Sequence, residues 1–250
     1  MTQKVKLPSP FKLVTYDTIR STNEEAKRLA INGMEGDIIV WAKKQTLGVG
    51  RRGRKWVSQK GNLYFSILLR PDCSVSKAMQ LGFVVSLSIA QVLDDVLPKI
   101  AKVNCKWPND ILVGNRKISG ILLESRLTPL GEIDWLIIGV GLNVKNFPKD
   151  VEFPATSLIE EGAKKTISAE IILKLFSHHF LLTYEKWDKL GFETIRKTWL
   201  SRVAWLGEEI TVQLEYETLK GEFKNLDKDG ALIILHNGVD RRITAGDIFI

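Results

Sequence analysis

The chain has 250 residues, 44% of them hydrophobic and 26% charged, which is ordinary for a globular protein and enough for one large domain or one domain with a small appendage. Two cysteines, Cys73 and Cys105, are too few for a disulfide framework, and the absence of Cys-x-x-Cys spacing argues against a structural zinc site. A net charge of +7 fits a nucleic-acid partner, a site for anionic small molecules or an attraction to acidic proteins, and does not by itself choose among them.

No apolar run reaches the length of a membrane span, since the longest, Leu81 to Val92, is broken by Ser86, Ser88 and Gln91. The N-terminal stretch MTQKVKLPSPFKLV lacks the apolar core of a signal peptide, so the cytoplasm is the expected location. His178 and His179 are neighbours and would point about 100° apart on a helix, which is no joint ligand pair.

In chain order, Phe11 to Tyr16 reads as a strand. A helix follows, with Ser21 and Glu24 placed as a capping box and Gly33 as its stop. Asp37 to Ala42 has the signature of a buried strand, and a Gly- and Arg-rich loop runs from about Gln45 to Gly61. Asn62 to Leu69 alternates, so Leu63, Phe65, Ile67 and Leu69 should share one face of a strand. Ser76 to Val96 reads as one long helix stopped by Pro98. Lys102 to Trp107 is a strand, and Asp110–Val113 and Lys117–Glu124 flank Gly114-Asn115-Arg116 as a hairpin. Trp135 to Val144 is a further strand, and Ile167 to about Trp199 is helical with a break at Gly191. Beyond Trp205 short strands alternate with glycines. The fold class expected is α+β, with residues 1–204 as the main domain and 205–250 as a small β module.

Four segments carry candidate chemistry. In Gln45 to Trp56, Gly48, Gly50 and Gly53 supply backbone freedom, Arg51, Arg52, Arg54 and Lys55 supply dense positive charge, and Trp56 offers a ring face. This suits a clamp on a nucleotide phosphate, although a solvated basic loop that binds nucleic acid reads equally well from these residues alone. It is neither a P-loop nor a dinucleotide fingerprint. Lys106-Trp107-Pro108-Asn109-Asp110 places a lysine, an amide and a carboxylate at one strand junction, able to hold a phosphate and a magnesium ion or simply to form an Asx turn. Lys117 opens a strand with Gly120 behind it, either as a surface lysine or as an ammonium at a ligand. In Ile138 to Asn143, Gly139 and Gly141 alternate with apolar residues and leave one strand face bare for a flat ligand or a tight helix contact.

Taken together and in order, Ser21-Thr22-Asn23, Gln45, the Gly-x-Gly-Arg-x-Gly-Arg-x-Trp run of Gly48–Trp56, Lys-Trp-Pro-Asn-Asp, Lys117-x-x-Gly120 and Gly139-x-Gly141-x-Asn143 resemble the biotin–protein ligase family from about Tyr16 to Leu158. The resemblance is looser over the C-terminal module, which in the family is an SH3-like barrel. It implies a class II synthetase-like mixed sheet flanked by helices. It also implies conversion of biotin and Mg-ATP to biotinyl-5′-AMP, and acylation of a lysine on a biotin carboxyl carrier protein. Carried over residue by residue, Ser21, Thr22, Asn23 and Gln45 hold the biotin head group. Gly48, Val49, Gly50, Arg51 and Arg54 fold over the ligand, Trp56 packs on adenine, and Lys117 meets biotin's carboxylate and the phosphate. Lys106, Asn109, Gly120, Gly141 and Asn143 complete the binding set, with Asp110 as a magnesium contact or general base. Val49 stands where some members have arginine.

Only about 20 residues precede Ser21, so a ligase without a DNA-binding domain is expected, with no DNA or membrane partner, as a homodimer. The basic balance fits docking of an acidic acceptor surface. The rival readings are a lipoate ligase of the same fold and a non-enzymatic nucleic-acid binder. Against the second, the basic residues crowd into one glycine loop and are not spread over a face with interleaved aromatics.

Overall fold

The computed structural model describes residues 5–149, 151 and 153–250. Strand β1 (Lys12–Tyr16), helix α1 (Thr22–Ile31) and strand β2 (Ile38–Ala42) form a crossover unit in which β1 and β2 are parallel. The other strands are β3 (Leu63–Leu69), β4 (Val103–Lys106), β5 (Asp110–Val113), β6 (Arg116–Leu127) and β7 (Ile133–Leu142), and all join antiparallel. The seven-stranded sheet has the order β1-β2-β3-β7-β6-β5-β4. A mixed sheet with hairpin-joined strands is the α+β layout expected.

The two faces of this sheet are covered differently, and that difference creates the site. Leu136, Ile138, Val140 and Leu142 of β7 point to the large core shared with helices α3 (Leu81–Val96), α4 (Ala169–Leu190) and α5 (Phe192–Leu200). On the opposite face Trp135 and Ile137 pack with Ala26, Leu29 and Ala30 of α1. Side chains alternate along a strand, so Gly139 and Gly141 continue that second face. There the first turn of α1 meets the sheet, and beside it lies a cleft whose lining includes these glycines and Gly120.

One local expectation is extended and one is corrected. Leu63, Phe65, Ile67 and Leu69 of β3 share the large core as expected, and the opposite face is buried as well, with Ser66 and Leu68 lying under α1. Ser76 to Val96 is not one helix: a short α2 (Val75–Met79) and α3 meet at Gln80, whose N–H donates to Lys77 O in a tightened turn. The Gln80 side chain accepts from Trp187 Nε1 at 3.0 Å, which fixes the bend against α4. Composition alone would let Val75–Val96 span a bilayer, with a mean hydropathy of 1.3 over its most apolar window, against the sequence reading; 67% of that window is buried inside the protein.

The C-terminal strands β8 (Glu209–Gln213), β9 (Thr218–Leu226), β10 (Leu232–His236), β11 (Val239–Ile243) and β12 (Asp247–Phe249) form an antiparallel sheet in the order β11-β10-β9-β8-β12. It is fastened to the larger part by Trp107, a fully buried indole whose Nε1 donates to Gly230 O at 3.1 Å. The Lys-Trp-Pro-Asn-Asp turn thus touches both the cleft and the C-terminal sheet.

Candidate active site

The cleft encloses about 270 Å³ between the start of α1, the glycine loop, the Asn109–Asp110 turn, the start of β6, and Pro148, Val151, Phe153 and Ala155. At one end lies a continuous polar strip. Ser21 is the N-cap of α1, its backbone extended and its hydroxyl accepting from Glu24 N at 3.5 Å. Only half of the expected capping box forms, because the Glu24 carboxylate turns to Arg20. The cap aims Thr22 and Asn23 into the cleft.

Gln45 Oε1 accepts from Thr22 N at 2.8 Å, and Gln45 Nε2 donates to Ser58 Oγ at 3.1 Å. Ser66 Oγ lies 2.7 Å from Thr22 Oγ1 and 2.5 Å from Asn23 Oδ1. A hydroxyl has one proton, so a consistent network has Ser66 donating to Asn23 and accepting from Thr22. Glu124 closes the strip, accepting from Asn23 Nδ2 at 2.6 Å and from Lys27 Nζ at 2.5 Å. Ser58, Ser66 and Glu124 were not among the sequence candidates. Ser66 carried a signal, since it is the one polar residue in an otherwise apolar or aromatic strand.

The glycine loop folds on itself. Gly50 N donates to Arg54 O at 2.7 Å and Trp56 N to Gly48 O at 2.9 Å, around a single 3₁₀ turn at Arg51–Gly53. The three glycines serve different ends. Gly53 takes φ 71°, whereas a side chain on Gly48 would come within 2.5 Å of Ser58 Oγ and 2.6 Å of Trp56 O. Gly50 meets neither demand, so its expected freedom goes unused here. Gly48 stands behind the cleft wall and does not line it, whereas Val49, Gly50, Arg51 and Arg54 do.

The face expected to be bare at Gly139 and Gly141 is covered by the protein's own side chains. Asn23 lies against Gly139, and the Trp56 indole lies across Gly141 and Gly120, closer than any side chain there would permit. Trp56 Nε1 is buried with no hydrogen-bond partner among the described residues, an unpaired donor that an acceptor on a ligand would satisfy.

At the other end charge is concentrated. Lys117 Nζ sits 2.6 Å from Asp110 Oδ1 without a well-aligned hydrogen bond, and 5.5 Å from the Trp56 ring centre. Arg51 Nη1 donates to Asn109 Oδ1 at 3.3 Å, Gly246 O at 3.1 Å and Asp247 Oδ1 at 3.3 Å. Burial pulls the Arg51 guanidinium below its ordinary pKa, with Asp247 and Asp110 pulling it back. Asn109 and Asn143 are partly consumed by structure: Asn109 Nδ2 donates to Ile121 O at 2.5 Å and Asn143 Nδ2 to Thr156 O at 2.9 Å. Among the described residues, the lining holds four cations, Arg51, Arg54, Lys55 and Lys117, against one carboxylate, Asp110.

No cluster of three or more metal-binding His, Cys, Asp or Glu side chains exists among the described residues. One carboxylate beside an amide oxygen is no all-protein magnesium cage. It suits a metal that arrives already bound to phosphates.

Lys106, a binding candidate, does not line the cleft. It is 6% exposed, with Nζ 3.6 Å from the centre of Phe153 and 5.5 Å from that of Phe249. Burial pushes its pKa from 10.5 down to about 8. Between those values the unfolded chain binds more protons, so stability should rise with pH, on the order of 3 kcal/mol for the full shift. Lys106→Met lacks this titration. The wild-type urea midpoint is therefore expected to climb relative to the variant's between pH 8 and 10; parallel curves would show that Lys106 stays charged.

Residues 15–143 match the profile described as Biotin/lipoate A/B protein ligase family, and residues 205–250 that of the Biotin protein ligase C terminal domain. The chain is 34% identical over 239 residues to a biotin–[acetyl-CoA-carboxylase] ligase of Paracoccus denitrificans, covering 92% of this chain and 96% of that one. It is 32% identical over 245 residues to the bifunctional ligase/repressor BirA of Bacillus subtilis, covering 94% of this chain and 73% of that one. A solved biotin protein ligase from Aquifex aeolicus, in complex with biotin and ATP, superposes with a TM-score of 0.79 at 30% identity over 95% of this chain and 97% of its own.

Proposed function

The chain belongs to the biotin/lipoate A/B protein ligase family, and from that membership we propose how its cleft activates biotin with ATP and passes it to a lysine of a biotin carboxyl carrier protein. The carrying observation is the division of the cleft, with a hydrogen-bonding strip at one end and four cations against one carboxylate at the other. Biotin is polar at its ureido ring and anionic at its carboxylate, so it matches both ends. A lipoyl dithiolane ring has no N–H or C=O to offer Thr22, Asn23 and Gln45.

In the first step a biotin carboxylate oxygen attacks the α-phosphorus of ATP. A C(O)–O–P linkage forms, the bond from the α-phosphorus to the bridging oxygen breaks, and pyrophosphate leaves; a magnesium ion held by Asp110 and the phosphates would supply further charge neutralisation. Two anions must approach one another, and Arg51 and Lys117 offset that repulsion and the charge of the transition state. Trp56 and the loop exclude water from the reactive anhydride. In the second step the neutral acceptor amine attacks the acyl carbon, the bond from that carbon to the AMP oxygen breaks, and the surplus amine proton passes to Asp110 as general base or to the departing phosphate. The pairing of Asp110 with Lys117 supports that reading.

The reading also takes residues 1–204 and 205–250 as separate domains and the cytoplasm as the setting, as the sequence pattern suggests, and magnesium with ATP and a homodimeric assembly, as the resemblance implies. Purified protein given α-labelled ATP, magnesium and either biotin or lipoic acid tests the central claim. Labelled biotinyl-AMP, discharged by an apo carrier domain, is expected. Adenylate with lipoic acid alone would move the chain to its sister enzymes. No adenylate with either acid, together with salt-dependent binding of nucleic acid, would return the loop to the non-enzymatic reading.

A further inference from the structure

Three arginines of the glycine loop converge on one carboxylate almost two hundred residues away. Asp247 Oδ1 lies 3.3 Å from Arg51 Nη1, and Asp247 Oδ2 lies 3.5 Å from Arg52 Nη1 and 3.1 Å from Arg54 Nη2. The Asp247 side chain is 14% exposed and opens β12, held in register opposite Gln213 of β8. We propose that Asp247 is a positioning residue: it fastens the loop to the C-terminal sheet and aims Arg51 into the cleft, and so sets how long the adenylate is retained. The proposal rests on the ligase reading above.

The hydrogen-bond pattern of Arg51 carries the argument. All three of its acceptors, Asn109 Oδ1, Gly246 O and Asp247 Oδ1, meet the same terminal nitrogen, Nη1. Among the described residues no acceptor meets its other N–H donors, which belong to a side chain that lines the cleft. A guanidinium is a rigid planar fork, so anchoring one nitrogen fixes where the other donors point. Two of the three anchors, Gly246 and Asp247, belong to the C-terminal sheet.

The loop needs such an anchor. Three guanidinium groups within four residues repel one another, and Arg52 sits at φ 54°, in the left-handed region that a residue with a side chain avoids. Arg52 and Arg54 are otherwise largely exposed, at 40% and 53%. One carboxylate against three cations restrains the loop yet leaves it in cationic excess, still attractive to a phosphate. It also gives the C-terminal sheet a task in the reaction performed by the larger domain.

The test compares wild type with Asp247→Asn and Asp247→Glu. Asparagine keeps the shape and removes the charge; glutamate restores the charge. With Asp247→Asn, biotinyl-AMP should dissociate about tenfold faster, equivalent to about 1.4 kcal/mol, and the KM for ATP should rise by a similar factor. Biotin affinity should stay within about twofold, because the head-group strip makes no contact with Asp247, and glutamate should recover most of the retention. In ligand-free protein, amide exchange over residues 49–55 should speed up in the asparagine variant. Unchanged retention with unchanged loop exchange would overturn the proposal, as would a parallel fall in melting temperature and biotin affinity, which marks a general structural role. If the wild type makes no biotinyl-AMP, it is the ligase reading that fails, and loop exchange then decides Asp247 independently.

Discussion

Replacing Lys117 with methionine should slow biotinyl-AMP formation by about 10²- to 10³-fold, the usual cost of removing one aimed charge from a developing anionic transition state. Lys117 lines the cleft at the head of β6, with its backbone tied on both sides to the 154–156 segment: its N–H donates to Pro154 O at 2.7 Å and its carbonyl accepts from Thr156 N at 2.9 Å. The ammonium is therefore set by backbone, and methionine should leave the strand intact. The loss has a second part. Asp110, 13% exposed, would be stripped of its partner and would face the incoming phosphates as an uncompensated anion. The double variant Lys117→Met with Asp110→Asn should consequently lose less than the two single losses combined. Single-turnover formation of labelled adenylate measures both. A loss below about fivefold for Lys117→Met would remove Lys117 from the chemistry, and strict additivity would show that Asp110 acts elsewhere. The loss should fall on the chemical step more than on biotin binding, because the charge is greatest in the transition state.

The second large effect is expected from one carbon atom. In Gly141→Ala the new methyl would sit within the present position of the Trp56 indole, against Cε2 and Nε1. The ring must leave the glycine floor, and overpacking of this kind costs about 1–3 kcal/mol. Most of that cost should appear as weaker biotin and ATP binding, about ten- to a hundredfold, because Trp56 belongs to the loop and not to the core. Its backbone N–H is bonded to Gly48 O at 2.9 Å, so displacing the ring disturbs the loop base as well. Calorimetric titration gives the affinity, and a red shift of tryptophan emission reports the ring's exposure. The control is Trp56→Ala combined with Gly141→Ala. If the alanine acts through the ring, it should add little once the ring is gone. Unchanged affinity in Gly141→Ala would mean that Trp56 shifts on ligand binding to a place the methyl does not reach.

How the site reads from sequence follows from the range over which each feature is determined. Ser21 as a cap, the loop of Gly48–Trp56, the turn at Asn109–Asp110 and the glycine alternation at Gly139–Gly141 are each fixed within a dozen residues by backbone preference and alternation. They were legible for that reason, as was the layout of the strands. The single helix read over Ser76–Val96 failed where a tertiary contact intervened, since Gln80 bends the chain to meet Trp187 of α4. The alternation of β3 held for Leu63, Phe65, Ile67 and Leu69, but periodicity tells which side chains share a face, not whether another element will cover the other face, as α1 does.

The sequence by itself determined the chemical inventory: which residue types, in which order, could hold an acid, a nucleotide and the charge between them. The tertiary structure decided the partnerships. Trp56 fills the glycine floor, Ser66 and Glu124 lock Asn23, Phe153 cages Lys106, and Asp247 gathers the loop arginines. Each joins segments about forty to two hundred residues apart, brought together by the order of strands in the sheet and the docking of the C-terminal module. Local propensity carries no information about such meetings, because their energy comes from burial and charge neutralisation that exist only once both segments are in place.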